Sequence, residues 1–304
     1  MANPTKTTIV ELPPKPRARA KLGLAIVDYA TSWVHFTAAD KQKIADSGLA
    51  WIDARLRSPG SGKILADARA MGLELRGHDW DGETPPGKSW SIADEASGRV
   101  DGYKAAVRAI AAGVSVYSAN FEVDVWRGEK PGYANPHADE YMEAFFDAFD
   151  ERTRGTGMRV RYLGFSNPEY FYKTSDLDLD GHPDNTIPGW LLDGRIEGCS
   201  AMVYQGQRTA IRKTLDRARK VWSDKLVEAY AGTGRVDAAG DCIGNDAAWT
   251  EIAKAGEVPA ISFYVGYTAK DNRVQPWETI VRGSKWHRPI VDLARDVLTT
   301  PAAS

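Results

Sequence analysis

Asn120, Glu122 and Asp124 recur at every second position of the run VSVYSANFEVDVW, residues 114–126. In an extended strand such residues share one face, while Phe121, Val123 and Val125 share the other. Two carboxyl groups held this close repel, so one tends to keep its proton while the other stays charged. That division supplies a proton donor and a charged stabiliser, which is what cleavage of a glycosidic bond requires. The competing use of Glu122 and Asp124 is ion pairing with Arg55, Arg76 or Arg161. Glu228, in KLVEAYAG, is a second candidate and is expected on one face with Leu226 and Tyr230. It would act as nucleophile across from Glu122, or else form a structural ion pair. Asp28, near the end of LGLAIVDYA, is the third candidate carboxylate.

Other polar residues fall near these. Asp53 and Arg55 lie in AWIDARLR, His78 and Asp79 in LELRGHDW, and Tyr204 and Gln205 in CSAMVYQG. Burying ionised groups costs several kcal/mol unless they are paired or used (about that order). Trp33, Trp80, Trp90, Trp126, Tyr133, Tyr170, Phe171, Tyr172 and Trp190 cluster after the first, third, fourth and fifth apolar runs, where flat rings would stack on sugar faces. Asp53, Arg55, His78, Trp80, Asn120, Trp126, Tyr204, Gln205 and Tyr230 are therefore the expected substrate-binding set. Trp222 and Trp249 sit in helical runs and are expected in the core. The acidic loop DLDLDGHPD places Asp176, Asp178, Asp180 and Asp184 at calcium-ligand spacing, with Gly181 for the turn. Ile187 stands where a bidentate Glu would close such a site, so the loop is either a structural calcium site or a solvated turn. His35, His78, His137, His182 and His287 show no metal-ligand spacing. No cofactor is required by this chemistry.

The elements that must position these residues follow a steady rhythm of short apolar run, turn and helix. Strands are expected at residues 22–30, 50–57, 73–80, 114–126, 159–165, 199–206, 225–232 and 259–267. Helices are expected at 37–47, 62–71, 92–112, 139–154, 208–222, 245–255 and 289–298. Thr37 reads as an N-cap with Asp40 at the capping-box position, and Gly72 and Gly113 as helix stops. Eight strands, each followed by a helical or helix-sized segment, predict one (β/α)8 TIM-type barrel over residues 22–304, with residues 1–21 as an extended N-terminal arm. In such a barrel the chemistry sits at the carboxyl ends of the strands.

Composition narrows the partners. The 304 residues carry a net charge of −2, with 43% hydrophobic and 26% charged residues. That balance provides an ordinary core and argues against nucleic acid, which calls for a basic stripe. Cys199 and Cys242 cannot form a disulfide framework or a thiolate zinc site. No apolar run is long enough for a membrane helix, and the Pro-rich, basic start has no secretory apolar region. These features predict cytoplasmic synthesis without a signal peptide, followed by release on lysis or carriage in a particle. The arm is either a loose tail or a contact for self-association or for an assembly partner.

Four strings resemble family 25 glycoside hydrolases, the lysozyme-like muramidases. GLAIVDYATSW is similar to their opening strand, GLELRGHDW to their third, FEVD to the carboxylate pair of the fourth, and RYLGFSNPEYF to the fifth. The resemblance spans about residues 22–172, roughly half the chain. It implies a barrel glycosidase with Asp28, Glu122 and Asp124 at the centre and peptidoglycan glycan as substrate. This chain has Glu-x-Asp where the family has Asp-x-Glu, which leaves open which carboxyl is the acid. The alternative is a non-catalytic structural or glycan-binding barrel of a phage-tail-like or other cell-envelope-associated assembly.

Overall fold

The structure, a computed structural model, describes residues 18–27, 29–80, 95–120, 138–164, 194–203, 208–232, 235–236, 242–243, 246–265, 276–282 and 288–299. Eight parallel strands close into a barrel: β1 (Lys21–Ile26), β2 (Trp51–Arg55), β3 (Glu74–Trp80), β4 (Val116–Asn120), β5 (Arg159–Gly164), β6 (Gly198–Val203), β7 (Leu226–Gly232) and β10 (Ala260–Val265). A two-stranded antiparallel pair, β8 (Arg235–Val236) and β9 (Cys242–Ile243), stands apart from it. Chain order and spatial order agree around the ring, and β10 closes it by pairing with β1 from Lys21↔Ala260 to Ile26↔Val265. This is the (β/α)8 architecture expected from the alternation of elements.

Helices α1 (Ala38–Ala45), α2 (Ser61–Ala70), α3 (Glu95–Ala112), α4 (Ala138–Thr153), α5 (Arg208–Trp222), α6 (Asp246–Lys254), α7 (Pro276–Val281) and α8 (Ile290–Thr299) cover the barrel. Thr37 caps α1 through a capping box with Asp40, so orphan amides at the helix start are satisfied. Gly72 ends the turn after α2 with φ 73°, a conformation that costs other residues more. Outward strand residues such as Tyr117, Val160 and Ala201 form the main core with Phe145, Phe149 and Ile211 of the helices. Trp222 and Trp249 are buried there, as expected. Helices α3 and α4 meet across two glycines: a Cβ at Gly98 or Gly102 would lie 2.2 or 2.1 Å from the carbonyl oxygens of Tyr141 or Phe145.

Three details differ from the sequence reading. The first strand stops at Ile26, and Tyr29–Trp33 forms a π-helical turn instead of continuing it. Trp33 is consequently buried, its indole N–H donating to Asp67 at 2.7 Å, and is no sugar platform. The N-terminal boundary of the barrel also differs: Lys21 already belongs to β1, and Ala20 donates its backbone N–H to the Ala253 carbonyl. Arg19 caps the end of α8 by donating to the carbonyl oxygens of Val297 and Leu298 at 2.6 and 2.9 Å. Among the described residues no helix is long and apolar enough to cross a membrane.

Candidate active site

The inward faces of the barrel strands are unusually polar. At the amino-terminal side, Glu74, Arg159, Glu197, Arg161, Glu228 and Arg76 form a closed ring of alternating charge. Its contacts are Glu74–Arg159 at 2.7 Å, Arg159–Glu197 at 2.9 Å, Glu197–Arg161 at 2.5 Å and Arg161–Glu228 at 2.7 Å. Arg76 completes it, 3.5 Å from Glu228 and 2.8 Å from Glu74. Burial alone would raise Glu74 and Glu197. The Ser115 hydroxyl with Arg76 and Arg159 at Glu74, and Arg161 with Arg159 at Glu197, outweigh it and hold both below the usual carboxylate range. Burial likewise disfavours the charged Arg161, but Glu228 and Glu197 more than compensate and push it upward.

Trp51 lies over this ring, with the Arg76 guanidinium carbon 3.6 Å from its ring centroid and its N–H donating to Ser262 at 2.8 Å. The indole occupies the space a side chain at Gly23 would need, since a Cβ there would come within 2.1 Å of it. Glu228 is committed to this floor. Beyond its arginines it accepts from Ser262 at 2.6 Å and Ser200 at 3.1 Å, and it is 1% exposed. Its assignment as a catalytic nucleophile is therefore corrected: both oxygens are taken, and it sits in the layer that stabilises a barrel. A bulge also separates it from Leu226. Leu226 pairs with Cys199 and Glu228 with the next residue, Ser200, so Leu226 turns outward into the main core.

Nearer the carboxyl ends of the strands, Asp53, His78 and Tyr230 converge. The Tyr230 hydroxyl donates to Asp53 Oδ2, and His78 Nδ1 lies 2.9 Å from Asp53 Oδ1. Burial, and then the negative charge of Asp53 and Glu228, push the Tyr230 phenol up, so it keeps its proton. A carboxylate at Asp53 can only accept, so in this contact the His78 ring donates from Nδ1. Nε2 is buried and has no hydrogen-bond partner among the described residues. Ala25, Leu163, Met202 and Tyr264 form an apolar wall around Tyr230 inside the barrel. The centroid of the Tyr264 ring is 6.4 Å from that of His78.

Of the expected binding residues, the structure thus joins Asp53, His78 and Tyr230. Arg55 pairs in register with His78, and Asn120 with Trp80 at the ends of β3 and β4. Asp79, adjacent to His78, faces outward instead. It accepts from the Arg57 backbone at 2.8 Å and from Arg108 at 3.2 Å, which ties barrel to helix. Asp28, Glu122, Asp124, Trp126, Tyr204 and Gln205 lie outside the described residues, as do the loop aspartates Asp176, Asp178, Asp180 and Asp184. Among the described residues no cluster of His, Cys, Asp and Glu could hold a metal ion. The arginine-bearing ring was missed as a unit in the sequence. Its signal is the polar alternation Glu74-Arg76-His78, interleaved with Leu75 and Gly77, and Arg159-Arg161, interleaved with Val160.

No family model matches the chain, and no curated protein does either. The family 25 resemblance therefore rests on its quoted motifs alone. Solved structures are similar in fold. A chitinase (RmChi1) from Rhizomucor miehei superposes with a TM-score of 0.57 at 10% identity, covering 91% of this chain and 99% of that one. An endo-β-N-acetylglucosaminidase from Cordyceps militaris gives 0.53 at 11%, covering 92% and 91%. A sugar phosphate isomerase/epimerase from Parabacteroides distasonis gives 0.51 at 13%, covering 94% and 97%. At such identities what is shared is the architecture: the chain is a (β/α)8 barrel.

Proposed function

We propose that this chain is a glycoside hydrolase acting on a polysaccharide, with the glycan of peptidoglycan as its substrate. The observation that carries the reading is a closed barrel whose fourth strand brings Asn120 to its carboxyl end, immediately before the Glu122-x-Asp124 sequence. Glycosidases among the structures of like fold, the chitinase and the endo-β-N-acetylglucosaminidase, support it as hosts of this chemistry. In this reading Glu122 is the general acid and Asp124 its charged neighbour. Asp28 serves as nucleophile or as stabiliser of an oxocarbenium-like transition state. Glu228 is withdrawn from that role by its arginine partners. The arm is read as a contact for self-association.

The test is release of reducing ends from purified peptidoglycan and from β-1,4-linked N-acetylglucosamine oligomers. The wild-type chain is expected to release them, and Glu122→Gln and Asp124→Asn to be strongly impaired. Wild-type protein that cleaves neither substrate would overturn the proposal.

A further inference from the structure

The hydrolase reading uses the carboxylates around β4 and gives no atom of the second array, Asp53, His78 and Tyr230, a specific role in binding. His78 is 3% exposed, its Nδ1 is engaged by Asp53, and its Nε2 is buried without a partner among the described residues. An unsatisfied buried polar group costs about 1–3 kcal/mol, so a site that keeps one is expected to have a use for it. The two ring nitrogens diverge. Asp53 pairs in register with Arg76, closer to the floor than His78, and Nε2, on the far edge of the ring from Nδ1, faces away from Asp53. Asp53 is itself held from a second side by Tyr230, so the carboxylate that orients the imidazole is fixed in place.

We infer that His78 Nε2 is a ligand-binding acceptor that takes a hydrogen bond from a hydroxyl of a neutral saccharide seated in the barrel mouth, with Asp53 and Tyr230 as its positioning residues. The chemistry selects this class. A neutral imidazole with its proton on Nδ1 offers Nε2 only to a donor, so a carboxylate or phosphate oxygen gains nothing there. The Asp53 carboxylate behind the ring also disfavours an anion. A metal ion would call for several ligands, and among the described residues no such cluster exists. Beside the ring, the half-buried Tyr264, its centroid 6.4 Å from that of His78, offers an aromatic surface that suits the apolar face of a pyranose. The choice of saccharide as ligand rests on the hydrolase proposal, whereas the orientation of the imidazole does not.

The experiment is nitrogen NMR of the full chain labelled with 15N-histidine, the His78 signal being assigned by its loss in His78→Phe. In the free protein the neutral ring should show its proton on Nδ1, and Asp53→Asn should abolish that preference. Titration with tetra-N-acetylchitotetraose should shift the Nε2 resonance of the wild type in the direction of an accepted hydrogen bond. In His78→Phe the affinity for this probe should fall about tenfold, the scale of one hydrogen bond to a buried group. A proton on Nε2 in the free protein overturns the inference, and that measurement needs no variant to fold. So does a wild-type Nε2 that ignores the saccharide, or an affinity unchanged in His78→Phe. Glycan cleavage alongside a silent Nε2 would remove this inference and leave the hydrolase reading standing. A responsive Nε2 in a protein that cleaves nothing would do the reverse.

Discussion

Replacing Arg161 by methionine opens the ion ring at its most buried link. Arg161 is 4% exposed and Glu228 1%, and they meet at 2.7 Å. In Arg161→Met, Glu228 keeps the hydroxyls of Ser200 and Ser262 and the Arg76 contact at 3.5 Å, while Glu197 keeps Arg159 at 2.9 Å. Breaking a buried pair by removing one partner costs about 3–5 kcal/mol, because the remaining charge is stranded. The residual contacts put the expected loss at the lower end, about 3 kcal/mol. That is a large fraction of a typical stability of about 5–15 kcal/mol. Urea denaturation should show a lower midpoint at unchanged slope. The variant Arg161→Met/Glu228→Gln, which removes the stranded charge as well, should lose less than the sum of the two single changes by about 1–3 kcal/mol. A single Arg161→Met variant within about 0.5 kcal/mol of wild type, the range of ordinary surface changes, would refute the ring as a buried ionic unit.

Acid should weaken the same ring. Glu74 and Glu197 are held below their ordinary value of 4.5, so the folded state binds fewer protons there than the unfolded chain. Their contribution is complete above that value and is lost as pH falls through the depressed folded values. Urea midpoints should drop on that acid side, and Arg159→Ala should flatten the drop; an identical acid limb in the variant would contradict the assignment. Gly102→Ala puts a Cβ 2.1 Å from the Phe145 carbonyl oxygen, forcing α3 and α4 apart. The cost should be about 1–3 kcal/mol by thermal or urea unfolding, and an unaffected midpoint would show that the helices yield freely. Deleting residues 1–17 should convert a self-associated form to monomer in light scattering; an unchanged mass would remove the arm as the contact.

The barrel was legible in the sequence because its helix signals are local. Thr37 with Asp40, Gly72 after α2 and the apolar face of α4 each act within a few residues. Strand alternation did the rest, as at β4, where Tyr117 turns outward against Phe149 while Val116 and Ser118 turn inward. The floor was harder to read, because six charged residues from β3, β5, β6 and β7 and their approaches neutralise one another only once the barrel closes. A bulge beside Cys199 also separates Leu226 from Glu228, which simple alternation keeps on one face. Asp53 and His78 were marked as polar residues of neighbouring strands. Their pairing, and the outward turn of Asp79 beside them, depend on the register of β2 against β3.

The central claim concerns Glu122. Its most direct test is to measure glycan turnover and saccharide affinity together in wild type and Glu122→Gln. Loss of a general acid costs about 10²–10⁴ in rate. The account predicts a fall of that size in kcat with the dissociation constant for the glycan changed little. Glu122→Gln that cleaves at the wild-type rate would contradict it.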